Sequence, residues 1–292
     1  LITLIDNAYT PVAIFNVIYV QYKLNKTAWM RFTGLLDLKE DTQLERGLAF
    51  PAFLSEIHVE DLSFSYENKE VLQSVSLTIK KGEKTAFVGE SGSGKSTLTK
   101  LLVGLLKYDK GTILFDGEPL KNISLKSLYE KVAYLSQDTP VLDGTIKENL
   151  VFDREVSEDD IHACLEKTYL NPLLCTLDKG IETRIGEKGT CLSGGEKQRL
   201  ALARLWFDHS DIVVLDEATS ALDNVTEGIV MKNVLEQIKH ATVIAVAHRL
   251  TSIREFDRIV VFRNGQIVGH GTFDELLENN SYFLDLYRKE NA

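Results

Sequence analysis

Apolar positions change their spacing several times along the chain, and each change predicts a different element. Residues 1–22 are almost continuously apolar (Leu4, Ile5, Val12, Ile14, Phe15, Val17, Ile18 and Val20), with Asp6 as the interruption. Apolar positions then continue at helical spacing through Leu24, Ala28, Phe32 and Leu35, so a long helix is expected. The charge-free stretch, residues 7–22, is shorter than the roughly 20 residues that cross a bilayer. Lys23, Lys26 and Arg31 follow it. Two readings stand: an amphipathic helix of a soluble domain, or the end of a spanning helix whose basic flank lies in the cytosol. Residues 38–53 mix charges with Gly47 and Pro51 and read as a linker. A domain boundary is expected there, with one part at 1–50 and the other at 51–292.

From Ile57 the period drops to two. Ile57, Val59, Leu62, Phe64 and Tyr66, then Val71, Val75, Leu77 and Ile79, predict two half-buried antiparallel strands. Residues 85–88 form a short continuous apolar run, a buried strand, and residues 96–106 carry the leucines of a helix. Strands are expected at 112–115, turned by Asp116-Gly117, and at 132–135, ending at Ser136-Gln137. Between 143 and 207 the strand pattern disappears. Ser157 to Asp160 reads as a capping box, and a second helix opens near Ser193, so a helical subdomain is expected at about 138–208. Residues 212–215 and 242–247, separated by a helix at 224–239, read as parallel strands buried on both faces. Asn264-Gly265 between two short apolar runs is a hairpin signal, and a polar helical tail at 273–288 closes the chain.

Composition narrows the class. With 292 residues, 44% hydrophobic and 26% charged, the chain can bury one large core and carry an extension. Its net charge of −10 supplies no broad field for nucleic acid. The three cysteines (Cys164, Cys175 and Cys191) form no C-x-x-C pair, which speaks against a disulfide framework and for a reducing compartment. The first residue is Leu rather than Met, so the chain reads as part of a longer one.

Chemistry enters at Gly89-Glu90-Ser91-Gly92-Ser93-Gly94-Lys95-Ser96, which reads G-x-x-x-x-G-K-S between a predicted strand and a predicted helix. Such glycines let backbone N–H groups turn around phosphate oxygens, and the helix N-terminus adds partial positive charge. Lys95 is expected on the β and γ phosphates, and the Ser96 hydroxyl on Mg²⁺. Gly89, Ser91, Gly92, Ser93, Gly94 and Thr97 complete the expected cradle. A second half of the site follows at residues 212–217, where four apolar residues lead to Asp216 and Glu217. Asp216 is placed to hold Mg²⁺ through water. Glu217 is placed to take a proton from an attacking water.

Leu192-Ser193-Gly194-Gly195-Glu196-Lys197-Gln198-Arg199 then carries a resemblance. It is similar to the signature of the ATP-binding-cassette ATPases, and the resemblance covers about residues 56–287. It implies an α/β fold of the P-loop NTPase (RecA-like) kind, with a parallel sheet core, an antiparallel β subdomain and a helical subdomain. It also implies ATP and Mg²⁺ as cofactors and a second cassette, arranged head to tail, whose nucleotide is closed over by Ser193, Gly194 and Gly195. On the same ground Tyr66 resembles the aromatic that stacks on adenine, and Gln137 the glutamine that senses Mg²⁺ and water. Asp223, in Ser220-Ala221-Leu222-Asp223, resembles the acidic residue of the loop crossing the dimer interface, and His248 the switch histidine on the γ-phosphate. Residues 143–149 and 186–189 look like exporter-type cassettes, where they face the membrane domain. Residues 1–37 are loosely similar to the last membrane helix of such exporters and its cytosolic extension. Glu196-Lys197, in place of the commoner Gln-Arg, is a mild departure.

The function expected is that of the ATP-hydrolysing domain of an exporter, at the cytoplasmic face of a cell membrane. One alternative is a soluble ABC ATPase acting on nucleic acid, disfavoured by the acidic charge and by the absence of coiled-coil heptads between the phosphate loop and the signature. A non-hydrolysing sensor would need a damaged site, and an importer ATPase would begin near Glu56.

Overall fold

The computed structural model describes residues 2–37, 43–67, 69–138, 140–152, 154–186, 191–247 and 249–290. Two compact units make up the chain, residues 1–42 and 43–292. The first is the helix α1 (Ile2–Leu36), 35 residues long, as its apolar spacing predicts. Ile14, Phe15, Val17 and Ile18 on it are all more than half exposed, at 52%, 68%, 68% and 60%. Among the described residues, no helix is long and apolar enough to cross a membrane.

The strands of the second unit, in chain order, are β1 (Glu56–Tyr66), β2 (Lys69–Lys80), β3 (Lys84–Val88), β4 (Lys110–Phe115), β5 (Glu118–Pro119), β6 (Val132–Leu135), β7 (Ile212–Asp216), β8 (Thr242–Val246), β9 (Arg258–Arg263) and β10 (Gln266–Gly271). Its helices are α2 (Lys95–Leu102), α3 (Leu125–Tyr129), α4 (Ile146–Val151), α5 (Glu158–Lys167), α6 (Asn171–Leu174), α7 (Gly194–Arg204), α8 (Asn224–Gln237), α9 (Phe273–Asn279) and α10 (Ser281–Glu290). One sheet is antiparallel, in the order β2-β1-β4-β5, and the other has the order β10-β9-β3-β8-β7-β6. In the second, every pairing from β9 to β6 is parallel, and β10 alone turns back, antiparallel to β9. This is the mixed α/β fold expected.

The large sheet explains its own apolar runs. Successive strand side chains face opposite ways, so a strand covered on both sides needs two apolar sets. Phe87, Val214, Ile244, Val260 and Phe262 enter one core, shared with Ile57, Val59 and Ile79 of the antiparallel sheet and Leu98 and Leu101 of α2. The alternate residues Ala86, Val88, Val213, Leu215, Val243, Ala245, Ile259 and Val261 enter another, against α7, α8, α9 and α10. A third core (Ile146, Leu150, Ile161, Cys164, Leu165, Leu200, Ala203 and Phe207) lies wholly within the helical stretch. Leu200 and Ala203 of α7 face this core while Ala201 and Leu202 face the sheet's, so α7 is a wall common to both.

Three local expectations need correction. The helix expected over 96–106 stops at Leu102, because Gly104 adopts a left-handed φ of 71°. Its N–H bonds the Leu101 carbonyl and that of Leu105 the Lys100 carbonyl, a glycine-terminated helix end. Ser157 caps α5, but Asp160 returns its carboxylate to the Ser157 hydroxyl, at 2.7 Å, rather than completing the box. Reciprocal boxes form where the third residue is the longer Glu, at Thr145/Glu148, Ser193/Glu196 and Thr272/Glu275. The stretch expected as a linker is tied to the larger unit from Gln43 onward, with Gln43 Nε2 donating to the Leu120 carbonyl at 3.0 Å and the Leu48 N–H to the Asn122 carbonyl at 2.7 Å.

Candidate active site

Strand order decides what meets. β3, β6, β7 and β8 run parallel, so their carboxyl ends open on one edge, where ligands of such sheets bind. The phosphate loop leaves β3, Gln137 follows β6, Glu217 follows β7, and Arg249 lies just past β8. His248 lies outside the described residues, as do residues 187–189 of the run before the signature.

Close packing holds the loop. A Cβ on Gly89 would come within 2.2 Å of the Phe262 carbonyl oxygen at a φ of 146°, so only glycine fits. The Gly265 N–H of the β9–β10 hairpin donates to the Ser93 carbonyl at 3.1 Å, fixing the loop from the far side. A Cβ on Gly92, by contrast, would meet nothing within 4 Å, and Ser91 is exposed there beside it. Gly94 caps α2, whose first residues are Lys95, Ser96 and Thr97.

Lys95 is buried at 4% exposure, and its Nζ donates to the Gly89 and Glu90 carbonyls at 2.8 and 3.0 Å. Burial holds its pKa below the ordinary lysine value, and the carboxylates of Glu217 and Asp216 pull it part of the way back. The cation and two acids expected from sequence therefore share one field. Asp216 is also 4% exposed. Its Oδ2 accepts a hydrogen bond from Tyr134 at 2.9 Å, while Oδ1 is buried with no partner among the described residues. Tyr134 was not singled out by sequence; burial and Asp216 raise its pKa, so it stays a neutral donor. Glu217 has a left-handed φ of 55° and its N–H donates to the Val246 carbonyl at 3.3 Å, which seats it between β7 and β8.

A cavity of about 390 Å³ lies in front of these strand ends, lined by Ser91, Gln137, Glu217, Thr219, Glu227 and Arg249 among others. Gln137 and Ser220 also border a second cavity of about 590 Å³, whose far wall is Gly194, Lys197 and Gln198. The signature residues Gly194, Lys197 and Gln198 thus border a different cavity from Glu217. Gln198 joins the two regions, donating from Nε2 to Ser220 Oγ at 3.0 Å and accepting from the Ala221 N–H at 2.7 Å. Gly195 lies against the same turn, where a Cβ would be 3.1 Å from the Ala221 oxygen.

Two expected contacts are already engaged. Ser193 caps α7, with its N–H and hydroxyl both directed to Glu196 Oε2 at 2.7 Å. Glu196 thus occupies the groups that an anion would use, and a phosphate docking here has to displace it. Asp223 caps α8 by accepting from the Thr226 N–H at 3.0 Å, and Thr226 holds its carboxyl below the usual range. Tyr66 ends β1, edge-on to Phe64 at 4.9 Å and 44% exposed, so the ring is accessible for stacking. Tyr66→Ala is expected to weaken ATP binding by about 1–3 kcal/mol, the value of a base on an aromatic platform, and Tyr66→Phe to be nearly silent. Titration with a fluorescent ATP analogue checks both. A Phe variant as weak as the Ala variant would mean that the hydroxyl, not the ring, makes the contact.

Comparison with known proteins agrees with this geometry. A model of the ABC transporter family matches residues 72–220. The chain is 40% identical over 238 residues to the mitochondrial iron-sulfur clusters transporter ATM1 of Candida albicans, covering 80% of this chain and 32% of that protein. It is 35% identical over 285 residues to the uncharacterized ABC transporter ATP-binding protein YwjA of Bacillus subtilis, covering 97% and 50%. It is 38% identical over 234 residues to the ATP-dependent lipid A-core flippase of Francisella tularensis, covering 80% and 38%. The chain therefore spans a third to a half of the length of these relatives. A solved structure, a bacterial Atm1-family ABC exporter with ATP bound, superposes with a TM-score of 0.81 at 28% identity, over 97% of this chain and 51% of that one. Strand-end carboxylates, a buried loop lysine and a signature-headed helix, on a chain with these relatives, establish that it belongs to the ABC transporter family and holds that family's ATPase domain.

Proposed function

We propose that the chain is the ATP-driven motor of an exporter-type transporter, and that its residues 1–37 continue from a membrane helix. The carrying observation is the buried Asp216 Oδ1, with no partner among the described residues, beside Glu217 and Lys95 at the strand ends. An unsatisfied buried carboxylate oxygen is costly and calls for a ligand. Among the described residues there is no cluster of three or more His, Cys, Asp or Glu side chains for a metal. That suits Mg²⁺, which is commonly held by one or two carboxylates together with substrate phosphates. Asp216, Ser96 and Gln137 would hold it, and it would neutralise charge on the β and γ phosphate oxygens.

The remaining roles fall to side chains. Phosphate oxygens offer Lys95 charged partners in place of the neutral carbonyls of Gly89 and Glu90, which strengthens its bonds. Glu217 accepts a proton from the attacking water, Gln137 orients that water, and Tyr66 stacks on the adenine. His248 belongs to the same reading by its place after β8. Ser193, Gly194 and Gly195 close over the nucleotide of a second ABC domain, identical or different, with Asp223 crossing between the two.

The relatives' names support export from a membrane, and they give no support to a role on nucleic acid. Cassettes at 38–40% identity serve proteins named for an iron-sulfur cluster and for a lipid, so the cassette does not select the cargo. Expressed from its own gene, the native protein is expected to sediment with membranes and resist alkaline washing, with the ATPase domain shielded from protease added outside intact cells. Recovery in the soluble fraction would overturn the exporter reading.

A further inference from the structure

Glu227 is a buried charge to which the reaction outlined above gives no part. It sits in the first turn of α8 at 4% exposure, one helical turn beyond the cap Asp223. Its two oxygens are divided between loops. Oε1 accepts from the Thr219 hydroxyl at 2.9 Å, and Oε2 pairs with Arg249 Nη1 at 2.5 Å. The same Nη1 donates to the Leu222 carbonyl at 2.7 Å.

The sequence positions of these partners carry the inference. Thr219 is two residues past Glu217, Leu222 immediately precedes Asp223, and Arg249 immediately follows His248. Glu227 and Arg249 also line the cavity in front of Glu217. Glu217 itself holds a left-handed backbone, which persists only where surrounding contacts over-determine it. The turn after it is closed by Ser220 N–H to the Glu217 carbonyl at 3.2 Å and Leu222 N–H to the Thr219 carbonyl at 3.0 Å. Among the described residues that turn is held from outside by the Val246 carbonyl at its start, by the burial of Ala218 and Leu222, by Gln198 on one side and by the Glu227–Arg249 pair on the other.

We propose that Glu227 and Arg249 are positioning residues for ATP hydrolysis, a buried strap that sets the turn after Glu217 against the segment that follows β8 at Arg249. The proposal rests on Glu217 as the base. Neither residue touches nucleotide in this scheme. Removing one partner alone strands a charge and endangers the fold, so the decisive variant is the double replacement Glu227→Gln with Arg249→Gln, which strands none.

In the intact protein, the double variant is expected to melt within a few degrees of the wild type and bind ATP within about twofold. Its kcat is expected to fall at least tenfold with KM little changed, since orientation at the base is lost and the phosphate cradle is not. Arg249→Lys, which keeps a cation able to reach Glu227, is expected to keep a larger share of kcat than the double variant. A folded double variant with wild-type kcat would overturn the proposal, as would a parallel loss of kcat and ATP affinity, the mark of general disruption. Glu217→Gln is run beside it. Sustained turnover in that control would overturn the base assignment and the proposal built on it; an inactive control beside a fully active double variant overturns the proposal alone.

Discussion

Glu217→Gln is expected to stop ATP turnover while leaving the nucleotide bound. The amide keeps the shape of the side chain at the end of β7 but cannot accept a proton from water, and loss of a general base costs about 10²–10⁴ in rate. Binding is spared because the loop, Lys95 and Tyr66 are untouched, and removing a negative charge near Lys95 relieves no contact that holds the phosphates. Trapped ATP then keeps paired domains closed, so the variant is expected to sediment as a dimer with ATP and as a monomer without it. Phosphate release and sedimentation measure the two effects. Substantial hydrolysis by the variant would take the base role away from Glu217.

The second large effect concerns which chain supplies the signature. Lys95 and Ser193 each stand at the head of a helix, yet Gly194 of the signature borders a different cavity from Glu217. Ser193→Arg is expected to abolish hydrolysis with little change in the ATP affinity of a single chain, since on the proposed head-to-tail arrangement it places a bulky cation where the partner's γ-phosphate would dock. The change also removes an exposed helix cap worth about 1 kcal/mol, which the fold can absorb. Lys95→Ala is expected to lose ATP binding and hydrolysis together. Mixed at high concentration, the two inactive proteins form heterodimers in which one composite site joins an intact Lys95 to an intact Ser193, and activity returns. If turnover needs both sites, an ATP-dependent heterodimer is the readout. Normal hydrolysis by Ser193→Arg at any protein concentration would show that the signature does not act on a partner's nucleotide.

Much of this was legible in the chain because period and punctuation are local. β6 falls on the four residues expected, 132–135, since its apolar run ends at Ser136-Gln137. β7 and β8 were readable as doubly buried strands, and the alternation of Val213 and Leu215 against Ile212 and Val214 between two cores is the reason. Asp216, Glu217 and Lys95 were legible because a motif fixes their order and the parallel sheet then brings their ends together. Gly104 carried the signal that ends α2, yet Leu105 and Leu106 beyond it extend the apolar spacing and hid the stop. The Glu227–Arg249 pair was not readable, because a carboxylate in a helix's first turn looks like a solvated one until α8 is laid against the loops. Tyr134 was hidden in the same way, since only the neighbouring strand shows that its hydroxyl reaches Asp216.

The third core has a consequence for cooperativity. The block from Val141 to Phe207 buries its own leucines and isoleucines; it meets the sheet's helices through α7, which enters both cores, and at α8, where Asn233 Nδ2 donates to the Lys167 carbonyl at 2.8 Å. A block with its own core is expected to open as a unit below the free energy of global unfolding, with amides of 141–207 exchanging together and ahead of those of β7 and β8. Ser193 heads α7 and Gln198 grips the turn after Glu217, so α7 ties that block to the end of β7. On the proposed head-to-tail arrangement, a tilt of the block would carry the signature with it while Lys95 and Asp216 stay with the sheet. Partner recognition would then sit on the part that opens first, and the proposed chemistry on the part that opens last.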